Sequence, residues 1–451
     1  MSRPTDFCGS PVTLPAGPAV EAWDATVRAF LAHGAATPDR LAETQRLAPD
    51  FALAHAARGL FCLILGRAEL VETARASLAE ARAAARRVTT TLRETAYVEA
   101  LAHWLDGRPS ATVARLEQVL ARSPEDALAM KLVQAIQFML GRPVEMRASA
   151  ERLLPAWEDH PARGYLLGCH AFTLEETGEY ARAEAAGALA LALAPDDAWG
   201  LHAVAHVYDM TGHARNGLAW LAPRRAAWAH CNNFRYHVWW HMALMHIDLG
   251  DTDAALALYD AEIRRDRTDD YRDIANAASL LGRLEIEGVD VGARWDELAD
   301  LAEARTGDGC VVFADLHYLL ALIGGDREAA IDTLVSRMAR DARRSHGEMD
   351  AITRDPGLAA ASGLAALGKG DNAAAFSRLS AARAGLIRIG GSHAQRDIFE
   401  RLTVEAALRA GEFAAAEMLL TDRMRRRGAA DGYTARRRAF IRDRIRAGAA
   451  A

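Results

Sequence analysis

Histidine is concentrated in one short stretch of this sequence. Seven of the 15 histidines lie between residues 202 and 246, and they are His202, His206, His213, His230, His237, His241 and His246. Two pairs, His202 with His206 and His237 with His241, have the four-residue spacing that places both side chains on one face of a helix. Because imidazoles titrate near neutral pH and also bind transition metals, these pairs predict acid–base chemistry or ligand binding.

Further polar and aromatic residues could complete such a site. Asp209 lies three residues after His206, where a carboxylate could orient an imidazole for proton transfer. The candidate catalytic residues are therefore His206, His241, His202, His237 and Asp209. Aromatic rings, an asparagine pair and later polar positions are the candidate ligand-binding residues, namely His170, Asn232, Asn233, Tyr236, Trp240, His317, Asp315, His393, Gln395 and Arg396. His393, Gln395 and Arg396 lie at the start of a predicted helix, whose free N–H groups could favour an anion.

Three interpretations of the histidines compete. They could be hydrogen-bonded packing residues of a polar seam, or the two HxxxH pairs could offer imidazoles to Zn²⁺ or another transition ion. Position 203 is alanine, so the glutamate of the HExxH metalloprotease motif is absent. We therefore predict no metal and no other cofactor, and keep a transition metal on the histidine pairs as the alternative.

The third interpretation is the main functional prediction. A concave pocket lined by histidine and aromatic rings would bind a small organic ligand or substrate. Acid–base catalysis by hydrolysis, elimination or isomerisation is an outcome that the sequence does not separate from binding, so whether the chain is an enzyme stays open. A protein–protein interaction scaffold with structural histidines is the alternative function.

The elements that must position these residues are helices. The chain has 451 residues and is 51% hydrophobic, with alanine recurring in pairs and triplets, and alanine has the highest helix propensity. Glycines that would end one helix and precede the next recur every 34 to 46 residues, at Gly66, Gly107, Gly141, Gly178, Gly212, Gly250, Gly288, Gly324, Gly370 and Gly411. The tetratricopeptide repeat has about 34 residues. We predict an all-α, right-handed superhelical solenoid of about ten tetratricopeptide-like helix pairs.

The domain prediction follows from the same pattern. Residues 1–18 form an extended N-terminal arm, and residues 19–451 form a single tetratricopeptide-like solenoid with a C-terminal capping helix. The ten arginines between Arg423 and Arg446 are expected on a solvated face of that cap.

Charge and composition limit the partners. A formal charge of −6 gives no overall attraction to nucleic acid, and no apolar run reaches the length of about 18 residues that a membrane span needs. Five scattered cysteines suit a reducing compartment, and the N-terminus lacks an apolar signal core, so we expect a cytoplasmic protein. The expected partners are a small molecule and, in the alternative, a protein, while a homodimer through the end helices stays open.

Several blocks also resemble a known family. They include HAVAHVYDMTGHARNGLAWL at 202–221, HCNNFRYHVWWHMALMHIDLGDTDAALALYD at 230–260 and GGSHAQRDIFERLTVEAALRAGEFAAAEMLL at 390–420. In these blocks the chain resembles the tetratricopeptide repeat protein 38 family. The resemblance implies a tetratricopeptide-like α-solenoid and implies no particular reaction.

Overall fold

A computed structural model describes residues 3–449, and all of its regular structure is helical. Residues 1 and 2 of the predicted arm and residues 450 and 451 of the predicted solenoid lie outside the described range. Between residues 3 and 449 there is no β-strand, only two isolated β-bridges. No helix in this range is long and apolar enough to cross a bilayer.

The chain forms two compact units. Unit 1 contains the described residues up to Val204, with Arg225–Arg235 and His346–Met349, and unit 2 contains Ala205–Arg224, Tyr236–Ser345 and the described residues from Asp350 onward. The helices of the N-terminal half are α1 (Pro18–Leu31), α2 (Thr37–Leu47), α3 (Ala52–Ile64), α4 (Ala68–Arg87), α5 (Leu92–Leu105), α6 (Pro109–Arg122), α7 (Ala127–Met139), α8 (Pro143–Leu153), α9 (Arg163–Glu176), α10 (Tyr180–Leu193), α11 (Ala198–Met210), α12 (Ala214–Leu221) and α13 (Ala226–Ala229).

The remaining helices supply most of unit 2. They are α14 (Phe234–Asp248), α15 (Thr252–Leu258), α16 (Tyr271–Ile286), α17 (Arg294–Ala304), α18 (Val312–Gly324), α19 (Glu328–Asp341), α20 (Glu348–Ile352), α21 (Leu358–Gly368), α22 (Asn372–Arg383), α23 (His393–Arg409), α24 (Phe413–Arg427) and α25 (Gly432–Ala449). Short 3₁₀ segments follow α8, α12 and α22, and π-helical turns follow α15 and α20.

Successive helices pack as pairs within each unit. In unit 1, α3 packs on α4 and α9 packs on α10, and in unit 2, α21 packs on α22 and α17 packs on α18. Helices two apart in the chain also touch, as α16 and α18 do, so neighbouring pairs stack. The prediction of an all-α fold built from stacked helix pairs is confirmed.

The turn glycines behave as predicted at every position but one. Nine of the ten have a positive φ, a conformation that glycine adopts without steric cost. Gly324 instead ends α18, where a Cβ would collide with the Trp295 ring, and Asp326 takes the positive φ of that turn. At position 324 the glycine is therefore required for close packing against α17.

The segment before α1 is tied to unit 1. Asp6 forms a buried ion pair with Arg93 at 2.8 Å, and the backbone N–H of Thr13 donates to Glu94 at 2.8 Å. Val12 and Leu14 are buried. Residues 3–17 thus lack helix and pack against the start of α5. The continuity of one solenoid over 19–451 stays a prediction.

Candidate functional site

Helices α11 and α14 bring three of the predicted histidines together in unit 2. His206 lies on α11, and His237 and His241 lie one turn apart on α14, all of them buried. The ring centroid of His241 is 4.3 Å from that of His206 and 4.6 Å from that of His237. We call these three residues the histidine cluster.

Hydrogen bonds set the orientation of the cluster. Nε2 of His241 lies 3.1 Å from Nε2 of His237, and Nδ1 of His237 lies 3.0 Å from Oδ1 of Asn276 on α16. An amide oxygen only accepts, so Nδ1 of His237 donates to it and Nε2 of His237 accepts from His241. Burial lowers the pKa of His237 to about 3, so this imidazole is neutral at pH 7.

The Trp240 ring lies beside two histidines of the cluster. Its ring stacks on His237 with centroids 5.2 Å apart and meets His241 edge-on at 4.9 Å. The guanidinium carbon of Arg283 lies 5.4 Å from the Trp240 ring centre. The interior of unit 2 therefore combines neutral imidazoles, an indole and a cation.

Arg283 is a residue that the sequence analysis missed. It is buried on α16 and donates to the backbone oxygens of Ser279 at 3.0 Å and Ala394 at 2.6 Å. Within residues 3–449 no carboxylate pairs with it. Burial and the charge of Arg401 lower the pKa of Arg283 to about 9, which leaves it charged at pH 7. An arginine inside the apolar run ANAASLLGR was the available signal.

His317 lies on α18, where the positive charge of Arg283 acts on it. Its Nδ1 donates to the backbone oxygen of Phe313 at 2.7 Å, and its ring meets Phe399 edge-on at 5.1 Å. Burial lowers the pKa of His317 to about 4, and the positive charge of Arg283 acts in the same direction. His317 is thus a neutral imidazole electrostatically coupled to Arg283.

The two predicted carboxylates serve arginines instead of imidazoles. Oδ1 of Asp209 accepts from Arg427 at 3.0 Å, and Asp315 pairs with Arg337 at 2.5 Å. A buried guanidinium needs a counter-charge more than a neutral imidazole does. Asp209 therefore pairs with an arginine, its role beside a histidine stays a prediction, and the oxygen that accepts from His237 belongs to Asn276.

Other predicted residues of unit 2 have separate partners. The Tyr236 hydroxyl donates to Asp266, and Gln395 forms a capping box with Ser392 at the start of α23. Arg396 donates to the backbone oxygens of Gly390 and Gly391. His393 and Arg396 also line a cavity of about 600 Å³ that arginines of α24 border. Gln395 therefore serves helix capping, His393 and Arg396 border an arginine-lined cavity, and Tyr236 pairs with a carboxylate.

The remaining predicted residues belong to unit 1. His202 lies one turn before His206 on α11, and its Nδ1 donates to the backbone oxygen of Trp199 at 2.8 Å. Nε2 of His170 lies 3.4 Å from Oε1 of Glu151. Oδ1 of Asn232 accepts from the Phe234 N–H at 3.0 Å, and Asn233 follows it in a half-buried position. These four residues belong to unit 1, whereas the three residues of the histidine cluster belong to unit 2.

Comparison with protein-family models identifies no family for this chain. No family model matches the chain, so the resemblance to the tetratricopeptide repeat protein 38 family stays a prediction. One similar solved structure is the crystal structure of the APC/C hetero-tetramer Cut9–Hcn1. The match has 13% sequence identity and a TM-score of 0.36, and it covers 86% of this chain and 67% of that chain.

Proposed function

We propose that this chain is a helical-repeat binding protein that holds a small, negatively charged organic ligand inside unit 2, at Arg283 and the histidine cluster. Arg283 carries the proposal, because its guanidinium is buried with backbone carbonyls as its described partners. A buried cation without a counter-ion is costly, and a carboxylate or phosphate that reached it would relieve that cost.

The surroundings of Arg283 support an organic ligand over a bare inorganic anion. Trp240 supplies apolar surface beside the charge, and Phe399 supplies apolar surface beside His317, as the walls of ligand pockets usually do. The neutral imidazoles of His237 and His317 can donate or accept hydrogen bonds according to tautomer. A carboxylate attached to an apolar body would use both kinds of contact.

The proposal is limited to binding. An imidazole whose conjugate acid has a pKa of about 3 is a weak general base at pH 7. Nδ1–H of His237 donates to the neutral amide oxygen of Asn276, which orients the ring without adding a negative charge. Acid–base catalysis, the further part of the sequence prediction, therefore has little support from the cluster.

The test is a thermal-shift screen of carboxylic acids against their neutral amides. We expect acids to raise the melting temperature of the wild-type protein, and Arg283→Met to abolish the rise. Methionine fills similar volume, and replacing a buried charge by an apolar side chain is often neutral or stabilising, so this variant should fold. Arg294→Met, which removes a surface pair with Asp260, is the matched control and should keep the response.

Equal responses of wild type and Arg283→Met would contradict the proposal. Arg283→Lys adds a further check, since it keeps the charge and changes the donor geometry. We expect it to retain part of the shift with a weakened affinity.

A protein-interaction scaffold with structural histidines is the second candidate. The stacked helix pairs favour it, because such repeats commonly present extended binding surfaces. His206→Ala and His241→Ala distinguish the two candidates. Loss of the acid response with an unchanged melting temperature supports the ligand site, whereas destabilisation with an unchanged response supports structural histidines.

A further inference from the structure

We propose that the histidine cluster is a transition-metal site in which His206, His237 and His241 are the protein ligands of a Zn²⁺-like ion. The inference rests on the proposed function, because the ion and the organic ligand would occupy the same interior of unit 2. It adds a metal ion to that site, and the positive charge of the ion would favour a negatively charged ligand.

The spacing of the ring nitrogens fits one ion. Each of the three histidines offers a ring nitrogen within 4.8 Å of those of the other two. Zn–N bonds of about 2.05 Å at the tetrahedral angle place two ligand nitrogens about 3.3 Å apart. The Nε2 atoms of His237 and His241 are 3.1 Å apart, so a separation of about 0.2 Å more would seat an ion between them.

Asn276 supplies the outer contact that metal-binding histidines usually have. A ligating imidazole commonly donates its second N–H to a carbonyl or carboxylate oxygen, which fixes the ring and its tautomer. Nδ1 of His237 donates to Oδ1 of Asn276 at 3.0 Å, and this leaves the Nε2 lone pair directed at His241. The orienting contact is therefore present without any rearrangement of α16.

Metal binding also needs a change of tautomer at His241. In the structure, Nε2–H of His241 donates to Nε2 of His237. When an ion binds, that proton moves to Nδ1 of the same ring, and both Nε2 lone pairs coordinate the metal. The proton stays on the His241 ring, so the ion replaces this hydrogen bond and no net proton leaves the ring.

The ligand set also indicates which ion and what further ligand would suit it. Imidazoles favour Zn²⁺, Co²⁺, Ni²⁺ or Cu²⁺ over Mg²⁺ and Ca²⁺, which prefer oxygen. Three neutral histidines leave a tetrahedral ion with an open fourth position and its full double charge. A carboxylate could fill that position, which agrees with the negatively charged ligand proposed above.

The experiment uses Co²⁺ as a spectroscopic probe on the full chain, purified without a polyhistidine tag and stripped with a chelator. We expect saturable uptake of one Co²⁺ per chain, with visible d–d absorption of a tetrahedral nitrogen-ligated ion. His206→Ala and His241→Ala should each abolish the absorption. His246→Ala, at the half-buried end of α14, is the matched control and should leave it unchanged.

Asn276 gives a test that does not remove a ligand. Asn276→Ala should weaken Co²⁺ binding about 10- to 100-fold, because the ring of His237 loses its orienting acceptor. Asn276→Asp restores an acceptor oxygen and should bind within a few-fold of wild type. This pair keeps the inference testable even where a histidine variant fails to fold.

Three results would overturn the metal site. They are no saturable Co²⁺ uptake, an unchanged spectrum in His241→Ala, or equal affinities of Asn276→Ala and wild type. Repeating the acid screen on the metal-free protein separates this inference from the proposed function. A retained Arg283-dependent shift without Co²⁺ uptake leaves the ligand site standing alone, and Co²⁺ uptake without any acid response leaves the metal site standing alone.

Discussion

Asp431→Asn should strongly destabilise unit 2 by removing one negative charge from a buried ionic network. The carboxylate of Asp431 faces Arg423 at 2.6 Å, Arg427 at 3.5 Å and Arg401 at 3.6 Å, and its side chain is 1% exposed. Asparagine keeps an oxygen for the Thr434 N–H, which Asp431 accepts at 2.9 Å. The substitution therefore removes the charge and places an amide N–H₂ donor where the carboxylate oxygen Oδ2 faced the three arginines.

The expected loss of stability follows from the burial of the ionic network. Breaking a buried pair on one side costs about 3 to 5 kcal/mol, because the arginines lose their counter-charge. Unit 2 has about 230 residues, whose unfolding entropy is about 0.5 kcal/mol per kelvin. If unit 2 unfolds as one cooperative unit, the melting temperature should fall by about 6 to 10 °C at pH 7.

The assay is calorimetry or circular dichroism beside a matched surface variant. Asp300→Asn breaks an ion pair with Arg327 of similar length, 2.7 Å, whose side chains are 67% and 37% exposed. Exposed pairs contribute about 0 to 1 kcal/mol, so this control should melt within about 2 °C of wild type. Equal melting temperatures for both variants would refute the view that the buried network stabilises unit 2.

The destabilisation caused by Asp431→Asn should also depend on pH. Burial alone would raise the pKa of Asp431, but Arg423, Arg427 and Arg401 outweigh it and lower the pKa below the usual 3.8. A depressed pKa means that the carboxylate stabilises the fold above about pH 4 and that this stability is lost as the pH falls through the folded value. The gap between wild type and Asp431→Asn should therefore narrow below pH 4.

The remaining predictions concern one helix start and one close contact. Asp197 caps α11 in unit 1 by accepting from the Gly200 N–H at 3.1 Å, and burial raises its pKa to about 7, with Lys131 partly offsetting that rise. The raised pKa means that the charged carboxylate destabilises the folded state increasingly as the pH rises from 3.8 to about 7. Asparagine is an equally good cap and carries no charge. Asp197→Asn should therefore raise the melting temperature more at pH 8 than at pH 5. A larger gain at pH 5 would contradict this sign. Gly324→Ala should cost about 1 to 3 kcal/mol in urea unfolding because its Cβ meets the Trp295 ring, whereas Gly307→Ala, with open space around the Cβ, should be nearly neutral. A similar urea midpoint for both glycine variants would show that the Trp295 contact imposes no packing constraint.

Much of the fold follows from local chemistry, which is why the sequence predicted it. The alanine content favours helices, and the glycine spacing sets where each helix ends. The exception at Gly324 arises from Trp295, a residue 29 positions earlier whose ring occupies the space that a side chain would need. A repeat pattern cannot distinguish a glycine used for its backbone angle from one used for its missing Cβ.

The arginine-rich C-terminal segment is a second place where a local sequence pattern does not determine the structure. The sequence predicted a solvated face, yet Arg423 and Arg427 are buried. Arg423 pairs with Asp397 at 2.6 Å, and Arg427 pairs with Asp209 at 3.0 Å. Arginines spaced along a helix look alike whether they face water or counter-ions from distant helices. Only those distant carboxylates decide which arginines are buried.

The sequence by itself determined the helical class, the pairing of helices and the grouping of His237 with His241 on one face, because helix period and turn chemistry act over a few residues. Tertiary structure alone decided that His206 joins them, that Asn276 orients His237 and that Arg283 is buried with carbonyl partners. These contacts join residues 35 to 111 positions apart. Their chemistry depends on how separate helices pack, which no local pattern encodes.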